Sequence, residues 1–325
     1  MTVLVTGGTG FIGGFLVERL VSRGDRVRCL VLEREEVSPL SRWPVQLCYG
    51  DICRPETLRE AVQGVDYIYH LAAVKTVWDE AVYFRVNYEG TKNLVEACLS
   101  QNRQLKRFLF TSSQAAAGPS VDGHRLTEEE GGAPLTAYGR SKRAAEEFLQ
   151  AHRHELPSTI LRLALVYGPR NITTERGLRM ARRRVIPKVE QYFDLIYIQD
   201  AVEAMMLAAE QEQACGQVYF ITSRECVTLQ QVVEQALQIQ RKKGWVVPIP
   251  WGLFKLLMKL QWVYRQLVDR PSQPLNPDYE LSELLHKYWV CSGEKAQREL
   301  GFEPKVSLQE GLQQTIRWYD GWSAL

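Results

Sequence analysis

Six short apolar runs alternate with segments whose apolar residues recur every three or four positions in the first half of the chain. The short runs predict buried strands and the longer periodicity predicts helices. The predicted strands are Val3–Thr6, Val27–Leu32, Val45–Tyr49, Tyr67–Leu71, Arg107–Ser112 and Thr159–Val166. The predicted helices are Ile12–Ser22, Pro55–Val62, Tyr83–Ser100 and Tyr138–His154. The alternation predicts an α/β fold, a Rossmann-type doubly wound parallel sheet with helices on both faces.

The second half is less regular. Residues 177–185 are short and basic, and three prolines between 271 and 277 predict a loop. Residues 251–267 are apolar and aromatic, which predicts a helix packed on the sheet or lining a substrate pocket; contact with a membrane surface stays open. The other predicted elements are strands Phe193–Ile198 and Val218–Ile221 and helices Asp200–Gln211, Leu229–Gln240, Glu294–Leu300 and Leu308–Trp318.

The amino-acid composition limits the classes of binding partner that we expect. A net charge of +2 over 325 residues gives no argument for nucleic acid, and no apolar run reaches the length of a membrane span. Met1 leads directly into a strand, so we expect no leader. Seven dispersed cysteines without a C-x-x-C pair predict reduced thiols and a cytoplasmic protein. With five histidines and no H-x-x-x-H, the sequence predicts no metal site.

Glycines connect the first predicted strand to the first predicted helix. Gly7, Gly8, Gly10 and Gly13 follow the strand directly, and a helical pattern begins at Phe11. Such a turn lets a pyrophosphate approach the backbone at a helix N-terminus, where free N–H groups and the helix dipole favour an anion. The sequence therefore predicts a dinucleotide site at the amino end of the chain.

A tyrosine and a lysine stand four residues apart at the start of a later predicted helix. Tyr138 and Lys142 lie on one helical face, which brings the ammonium towards the phenol. A phenol ordinarily titrates near pH 10, and a nearby cation favours the phenolate. Tyr138 is therefore a candidate general acid or base. The hydroxyls of residues 111–113 end the fifth predicted strand, at the edge where open α/β sheets bind ligands.

Several motifs together resemble the extended short-chain dehydrogenases/reductases, also called the NAD-dependent epimerase/dehydratase family. They are TGGTGFIG, HLAA at 70–73, NYEGT at 87–91, TSSQAAAG, YGRSK, LRLALVYGPRN and the closing ELGFEPKVSLQEGLQQTIRWY. The resemblance implies NAD or NADP, a small-molecule substrate and a homodimer formed through the helices at 83–100 and 138–154. It also implies a Rossmann domain of residues 1–166, rejoined by about 194–221, and a smaller C-terminal substrate-binding lobe of 167–193 and 222–325.

The resemblance also implies roles for individual residues. Ser113, Tyr138 and Lys142 match the catalytic residues, with Ser112 as the alternative serine. Asp51 and Ile52 match a pair beside the adenine, and Leu71–Ala73 match a loop under the pyrophosphate. Lys75 stands where galactose-type epimerases carry a lysine, or is a solvated lysine. The candidate cofactor-binding residues are Gly7, Gly10, Phe11, Ile12, Gly13, Glu33, Arg34, Asp51, Ile52, Leu71, Ala72, Ala73, Lys75, Asn87, Ser112, Tyr138, Lys142 and Ala164.

The end of the second predicted strand bears on the choice of dinucleotide. NAD enzymes place an acidic residue there for the ribose 2′-hydroxyl, and NADP enzymes an arginine nearby. Leu32 occupies the expected acid position; Glu33 would suit NAD, and Arg34 or Arg28 a 2′-phosphate. The sequence favours NAD slightly.

One departure from the family pattern bears on the substrate. Sugar-nucleotide members usually carry an arginine where this chain has Phe193, and an aromatic ring cannot make bidentate bonds to a pyrophosphate. The basic segment with Arg176, Arg179 and 182–184 is either a substitute or a solvated helix face. We expect an oxidoreductase that transfers hydride to or from a sterol-like or other non-nucleotide alcohol or ketone. A sugar-nucleotide epimerase/dehydratase and a non-catalytic NAD(P)-binding protein are the alternatives.

Overall fold

The computed structural model describes residues 1–75, 77, 79–130, 132–181, 184–268 and 285–322. The strands are β1 (Thr2–Thr6), β2 (Arg26–Val31), β3 (Gln46–Tyr49), β4 (Tyr67–His70), β5 (Arg107–Ser113), β6 (Ser158–Leu163), β7 (Leu165–Tyr167), β8 (Val185–Lys188), β9 (Tyr192–Tyr197), β10 (Val218–Ile221), β11 (Cys226–Thr228), β12 (Trp245–Pro248) and β13 (Tyr288–Trp289). The α-helices are α1 (Phe11–Ser22), α2 (Arg59–Val62), α3 (Glu80–Tyr83), α4 (Gly90–Gln101), α5 (Ala137–Ala151), α6 (Ile172–Ala181), α7 (Ile198–Glu210), α8 (Leu229–Ile239), α9 (Trp251–Val268), α10 (Glu294–Leu300) and α11 (Leu308–Trp322).

Seven parallel strands form the central sheet in the order β10-β6-β5-β4-β1-β2-β3. The order reverses between β1 and β4: Val3 pairs with Val27 of β2 on one side and with Tyr67 of β4 on the other. Ligands bind at such a reversal, beyond the carboxyl ends of the strands. The predicted Rossmann-type α/β fold is confirmed, and six of its seven strands both begin and end within a residue or two of the predicted positions.

Alternating side chains of the strands feed two apolar layers, one on each face of the sheet. Val3 and Val5 of β1 pack in the layer that contains Leu16 and Leu20 of α1. Leu4, between those two valines, packs in the layer built from α4 and α5. Strands buried on both faces carry continuous apolar runs, which is why the strands were visible in the sequence.

A smaller sheet lies beside the large one. β9 pairs with β11, β13 and β7, whereas β10 joins the seven-stranded sheet. The carboxylate of Asp200 in α7 accepts hydrogen bonds from Lys305 N at 3.1 Å and Val306 N at 3.0 Å, and so fixes the approach to α11. The division of the chain into two lobes at the predicted boundaries stays a prediction.

Three predicted elements differ in detail. The helix expected at 83–100 is interrupted by a wider π-helical turn at Phe84–Glu89, and the strand expected at 159–166 divides at Ala164. Residues 172–181 form α6, which begins before the short basic segment predicted at 177–185. The proline loop expected at 271–277 lies outside the described residues. None of the helices within the described ranges is long and apolar enough to cross a bilayer.

Candidate active site

The glycine turn between β1 and α1 leaves no space for larger residues. Gly7 has φ of +72°, a conformation that favours glycine. A Cβ at Gly13 would lie 2.1 Å from the Gly7 carbonyl oxygen. Within the described residues no side chain caps α1 at Gly10, so the amides of Phe11, Ile12 and Gly13 face outwards from the helix end. The backbone of this turn fits a pyrophosphate.

A buried hydrogen-bond chain joins this turn to the loop after β4. Ala72 N donates to Thr6 Oγ1 at 3.1 Å, and Thr6 Oγ1 lies 2.7 Å from His70 Nδ1. His70 Nε2 lies 2.9 Å from Thr91 Oγ1, which itself donates to the Asn87 carbonyl. Burial lowers the pKa of His70 to about 3, so the ring is neutral. This series of hydrogen bonds fixes the loop of Leu71–Ala73 against the glycine turn.

Asn87 holds the same loop from the other side. Its Oδ1 accepts from Val74 N at 2.8 Å, and its Nδ2 donates to Val74 O at 2.9 Å and to Ser141 Oγ at 3.0 Å. The wider helical turn that contains Asn87 gives the side chain this reach. Lys75 is exposed, and its carbonyl accepts from the Tyr83 hydroxyl at 3.0 Å. Asn87 therefore ties the β4 loop to the helix that carries Tyr138.

An acidic side chain that was not among the predicted site residues, Glu35, is bonded to the glycine turn. Its Oε2 accepts from Leu32 N at 2.8 Å, and its Oε1 accepts from the Thr9 hydroxyl. Glu33 and Arg34 are exposed, whereas Glu35 is half-buried. The chain turns back after β2, since Glu35 N donates to Leu32 O at 3.0 Å. A carboxylate is thus present at the expected place, supplied three residues later than a count along the strand suggests.

The remaining predicted cofactor residues occupy the ends of β3 and β6. Asp51 follows β3, and its Oδ1 accepts from Cys53 N at 2.8 Å. Ile52 is buried, and its carbonyl accepts from Asn93 Nδ2 at 2.9 Å. Ala164 is buried at the end of β6, and its amide donates to Ile221 O at 3.0 Å. All three lie beyond carboxyl ends of the sheet strands, as the dinucleotide prediction requires.

The two serines at the end of β5 face different surroundings because successive strand residues point to opposite sides. Ser113 is half-buried, and its Oγ accepts from Ala115 N at 3.2 Å at the start of a 3₁₀ turn. Ser112 is buried, and its Oγ donates to Glu146 Oε1 at 2.5 Å. Ser113 is therefore the serine that remains at the edge, while Ser112 bonds into the helix–sheet interface.

Tyr138 lies in the first turn of α5. A helix cap, close backbone packing and a neighbouring aromatic ring fix its position there. Thr136 caps the helix by accepting from Gly139 N at 3.0 Å. A Cβ at Gly139 would lie 2.3 Å from the Ala115 carbonyl oxygen, so the helix start packs directly on the turn after Ser113. The ring of Tyr138 is 8% exposed and meets the ring of Tyr83 edge-on at 6.3 Å between centroids.

Lys142 is buried one turn further along α5. Its Nζ donates to the Thr111 carbonyl oxygen at 2.7 Å and lies 4.5 Å from the centre of the Phe110 ring. Burial lowers the pKa of Lys142 to about 7, although the carboxylate of Glu146 opposes the shift. The lysine is thus balanced between its two protonation states near neutrality.

Glu146 follows Lys142 by one more turn and forms a buried ion pair. Its two oxygens lie 2.8–3.2 Å from the guanidinium nitrogens of Arg162 on β6. The side chains of Arg162 and Glu146 are only 3% and 2% exposed. The guanidinium also lies 5.3 Å from the Phe220 ring centre. Tyr138, Lys142 and Glu146 recur at i, i+4 and i+8, a spacing that was visible in the sequence, although Glu146 was not selected.

Phe193 and its neighbour are committed to the smaller sheet. Phe193 pairs along the backbone with Val227 and Trp289, and its ring packs on the main apolar layer. The buried carboxylate of Asp194 accepts from Cys291 N at 2.7 Å and pairs with Arg125 at 3.3 Å. Of the predicted basic segment, the side chains of Arg176, Arg179, Arg182 and Arg183 lie outside the described residues, and Arg184 is exposed.

Comparison with known proteins defines the class. Residues 3–222 match the NAD-dependent epimerase/dehydratase family, and the chain belongs to this family of enzymes. The resemblance drawn from the motifs is therefore confirmed, and the expectation of NAD as cofactor is confirmed at the level of the family.

Individual relatives differ in substrate. The chain is 29% identical over 328 residues to the 4-hydroxy-2-methyl-3-oxo-4-farnesyl-3,4-dihydroquinoline-1-oxide ketoreductase of Stigmatella aurantiaca, covering 96% of this chain and 95% of the relative. It is 28% identical over 330 residues to sterol demethylase protein B of Methylococcus capsulatus, covering 98% of each. UDP-glucose 4-epimerase from Thermotoga maritima, crystallised with UDP-glucose, superimposes with a TM-score of 0.79 at 26% identity, covering 99% of this chain and 100% of that one.

Proposed function

We propose that this enzyme is an NAD-dependent reductase or dehydrogenase that interconverts a ketone and a secondary alcohol on an apolar, non-nucleotide substrate. The observation that carries the proposal is the arrangement at the carboxyl end of β5. Ser113 ends the strand, Tyr138 lies in the first turn of the helix packed on that end, and Lys142 is anchored to the strand by its bond to Thr111. The glycine turn that fits a dinucleotide belongs to the same edge of the sheet.

In this proposal the proton moves through Tyr138. Bound NAD supplies hydride chemistry at its nicotinamide. The Tyr138 hydroxyl donates a proton to the ketone oxygen in reduction and takes it back in oxidation, while the Ser113 hydroxyl holds the same oxygen. Burial of the tyrosine excludes water from the exchange and strengthens each polar contact.

Lys142 supports the tyrosine electrostatically. When charged, its ammonium favours the phenolate form of a tyrosine on the same helical face. A pKa of about 7 lets Lys142 change its charge at neutral pH in the protein described here. The carboxylate of Glu146 favours the ammonium form, and an adjacent bound ligand with negative charge would favour it further.

Glu35 supports NAD over NADP. A carboxylate at this position accepts a hydrogen bond from a ribose 2′-hydroxyl and repels a 2′-phosphate. Glu35 is held beside the glycine turn by Thr9 and Leu32, whereas Arg34 is exposed. We therefore assign to Glu35 the role that the sequence analysis offered to Glu33.

The substrate preference rests on Phe193 and Asp194. Neither offers a cation for a nucleotide diphosphate: one is a half-buried aromatic ring packed against the main apolar layer, and the other is a carboxylate bonded inside the smaller sheet. The farnesylated quinoline of the Stigmatella ketoreductase and the name of the Methylococcus sterol protein agree with an apolar substrate.

A sugar-nucleotide epimerase is the second candidate. It is favoured by the overall likeness to the Thermotoga UDP-glucose 4-epimerase and by Lys75, which lies in the β4 loop. An epimerase returns the hydride to its substrate, so the two candidates differ in net cofactor turnover.

The test is turnover of free cofactor. We expect the absorbance of the reduced nicotinamide to change with sterol-like or long-chain ketones and to stay constant with UDP-glucose. Epimerisation of UDP-glucose without net cofactor change would overturn the proposed substrate class. Tyr138→Phe should lower kcat by about 10²–10⁴-fold while cofactor binding persists.

Tyr83→Phe is the matched control for Tyr138→Phe. It keeps the aromatic contact with Tyr138 and removes only the hydroxyl that bonds Lys75 O and Val77 N. Its kcat should stay within about tenfold of the wild-type value. Full activity of Tyr138→Phe would instead overturn the acid/base role given to Tyr138, and the absence of turnover with every substrate tested would support the non-catalytic alternative. Assembly as a homodimer through α4 and α5 stays a prediction, which light scattering of the purified protein tests.

A further inference from the structure

The largest concentration of exposed apolar side chains lies far along the chain from the residues of the candidate active site. Fifteen large apolar residues are exposed in the described part of the protein, and eight of them fall between 245 and 263. Three of the eight belong to β12, where Trp245 is 79% exposed. The other five lie on α9 and are called the α9 stripe here: Leu253, Leu256, Leu257, Leu260 and Val263.

The α9 stripe is a continuous surface. Its members follow the i, i+3, i+4, i+7 spacing, so they occupy one third of the helix circumference. Their exposed fractions run from 42% to 55%. Phe254, which is buried, and Trp251, which stacks on it at 5.6 Å, lie on the opposite side. The helix is therefore apolar on two faces, and the fold of the described residues covers only one of them.

The charged residues around the α9 stripe indicate which kind of surface it can contact. Residues 241–268 contain six lysines or arginines and no aspartate or glutamate, in a chain whose net charge is only +2. Lys255 and Lys259 lie at one margin of the α9 stripe, and residues 241–243 add three basic groups just before β12. Lysines beside an apolar face bury their methylene stems and direct the ammonium to a polar boundary.

A second copy of this chain would fit poorly. A symmetric dimer brings the same patch against itself, so each copy would present its lysines to those of the other. The exposed apolar area needs a partner that is apolar in its interior and anionic at its border. An acidic protein groove and a lipid surface both offer an anionic border. The aliphatic stripe with its aromatic neighbours favours the lipid surface.

We propose that α9 and β12 dock on the surface of an anionic lipid bilayer, with the α9 stripe in the interfacial region and the lysines at the phosphates. The stripe spans ten residue steps, about 15 Å, which suits a helix lying parallel to the surface. The proposal does not depend on the proposed activity, since it concerns residues 245–263, which include none of the candidate site residues. It would place an enzyme for apolar substrates where such molecules partition.

The experiment is co-sedimentation of the full chain with vesicles, without cofactor or substrate. We expect binding to vesicles of phosphatidylcholine mixed with phosphatidylglycerol, little binding to phosphatidylcholine alone, and weaker binding in high salt. Lys255→Glu/Lys259→Glu should weaken binding by at least about 30-fold. Leu256→Ser/Leu260→Ser should weaken it by at least about tenfold.

Matched controls separate the patch from general charge. Arg26→Glu/Arg103→Glu reverses two exposed charges outside the patch and should bind as the wild type does, and Val121→Ser removes an exposed apolar side chain elsewhere. Thermal melting confirms that each variant is folded. Equal effects of both charge reversals, or no binding to anionic vesicles, would overturn the proposal. Dimerisation that the α9 variants abolish, without vesicle binding, would assign the face to a second copy.

Discussion

The carboxyl end of β5 and the outer face of α9 handle charge and apolar surface in opposite ways. At β5 the charged groups are buried, and protein atoms supply their partners: Thr111 for Lys142, and Arg162 for Glu146. On α9, Lys259 is exposed, Lys255 is half-buried over the Trp251 ring, and the leucines of the α9 stripe are exposed. In the first region the named charged groups are paired with other groups of the same chain, so changes there alter stability and chemistry. In the second region the exposed side chains are proposed to contact a lipid surface rather than other parts of the protein, so changes there should leave folding intact.

The largest effect on stability is expected when the buried ion pair is broken. Glu146→Gln leaves the Arg162 guanidinium buried without its counter-charge, and only one side-chain oxygen remains to accept from both Arg162 and Ser112. The free energy of unfolding should fall by about 3–5 kcal/mol, as measured by urea denaturation.

The control for Glu146 is its neighbour in the same helix. Glu147 is 64% exposed and pairs with Arg143 at i,i+4. Glu147→Gln should change the free energy of unfolding by less than about 0.5 kcal/mol. If the two variants were equally stable, the buried Glu146–Arg162 pair would contribute no more to stability than the exposed pair, and the contrast drawn for the β5 region would fail.

The second effect is a pH dependence at Lys142. Its pKa is about 7 when folded, below the ordinary value of 10.5. Below pH 7 both states bear the charge, and the folded protein carries the full cost of burying it. Between pH 7 and 10.5 the unfolded chain binds more protons, so stability rises with pH.

Lys142→Met removes this rise. In the absence of cofactor, the wild-type free energy of unfolding should gain up to about 4 kcal/mol more than that of Lys142→Met between pH 7 and 10. Lys92→Met, at an exposed lysine of α4, is the control and should follow the wild-type curve. Parallel curves for wild type and Lys142→Met would contradict the assignment of a buried, depressed lysine.

A smaller effect is expected at Glu35. Glu35→Gln removes the charge that repels a 2′-phosphate, so the ratio of kcat/KM with NAD to kcat/KM with NADP should fall by about tenfold. Glu33→Gln changes an exposed neighbouring acid and should leave the ratio unchanged. A wild-type preference for NADP would refute the role given to Glu35.

The smallest effect is expected on α9. Leu256→Ala should shift the free energy of unfolding by no more than about 0.5 kcal/mol, because the side chain is 52% exposed. Leu16→Ala removes a fully buried side chain of α1 and should cost about 2–5 kcal/mol. A large loss for Leu256→Ala would mean that the α9 stripe supports the fold rather than an external surface.

Much of the sheet and the glycine turn could be predicted because both rest on local signals. Buried parallel strands carry continuous apolar runs, and Gly7 and Gly13 are required by the backbone itself. Glu35 was missed because the expected position was counted along a strand, whereas the chain turns back after Val31. The division at Ala164 and the wide turn around Asn87 follow from contacts with distant segments, which periodicity does not show.

Strand order has a consequence for synthesis of the chain. β6 ends at residue 163, and its outer neighbour β10 begins at residue 218, so the 54 residues between them must be made before that edge is paired. At about 5–20 residues per second, a ribosome leaves the edge open for roughly 3–11 s. A nascent chain that pauses between these two strands therefore presents an unprotected hydrogen-bonding edge to its neighbours.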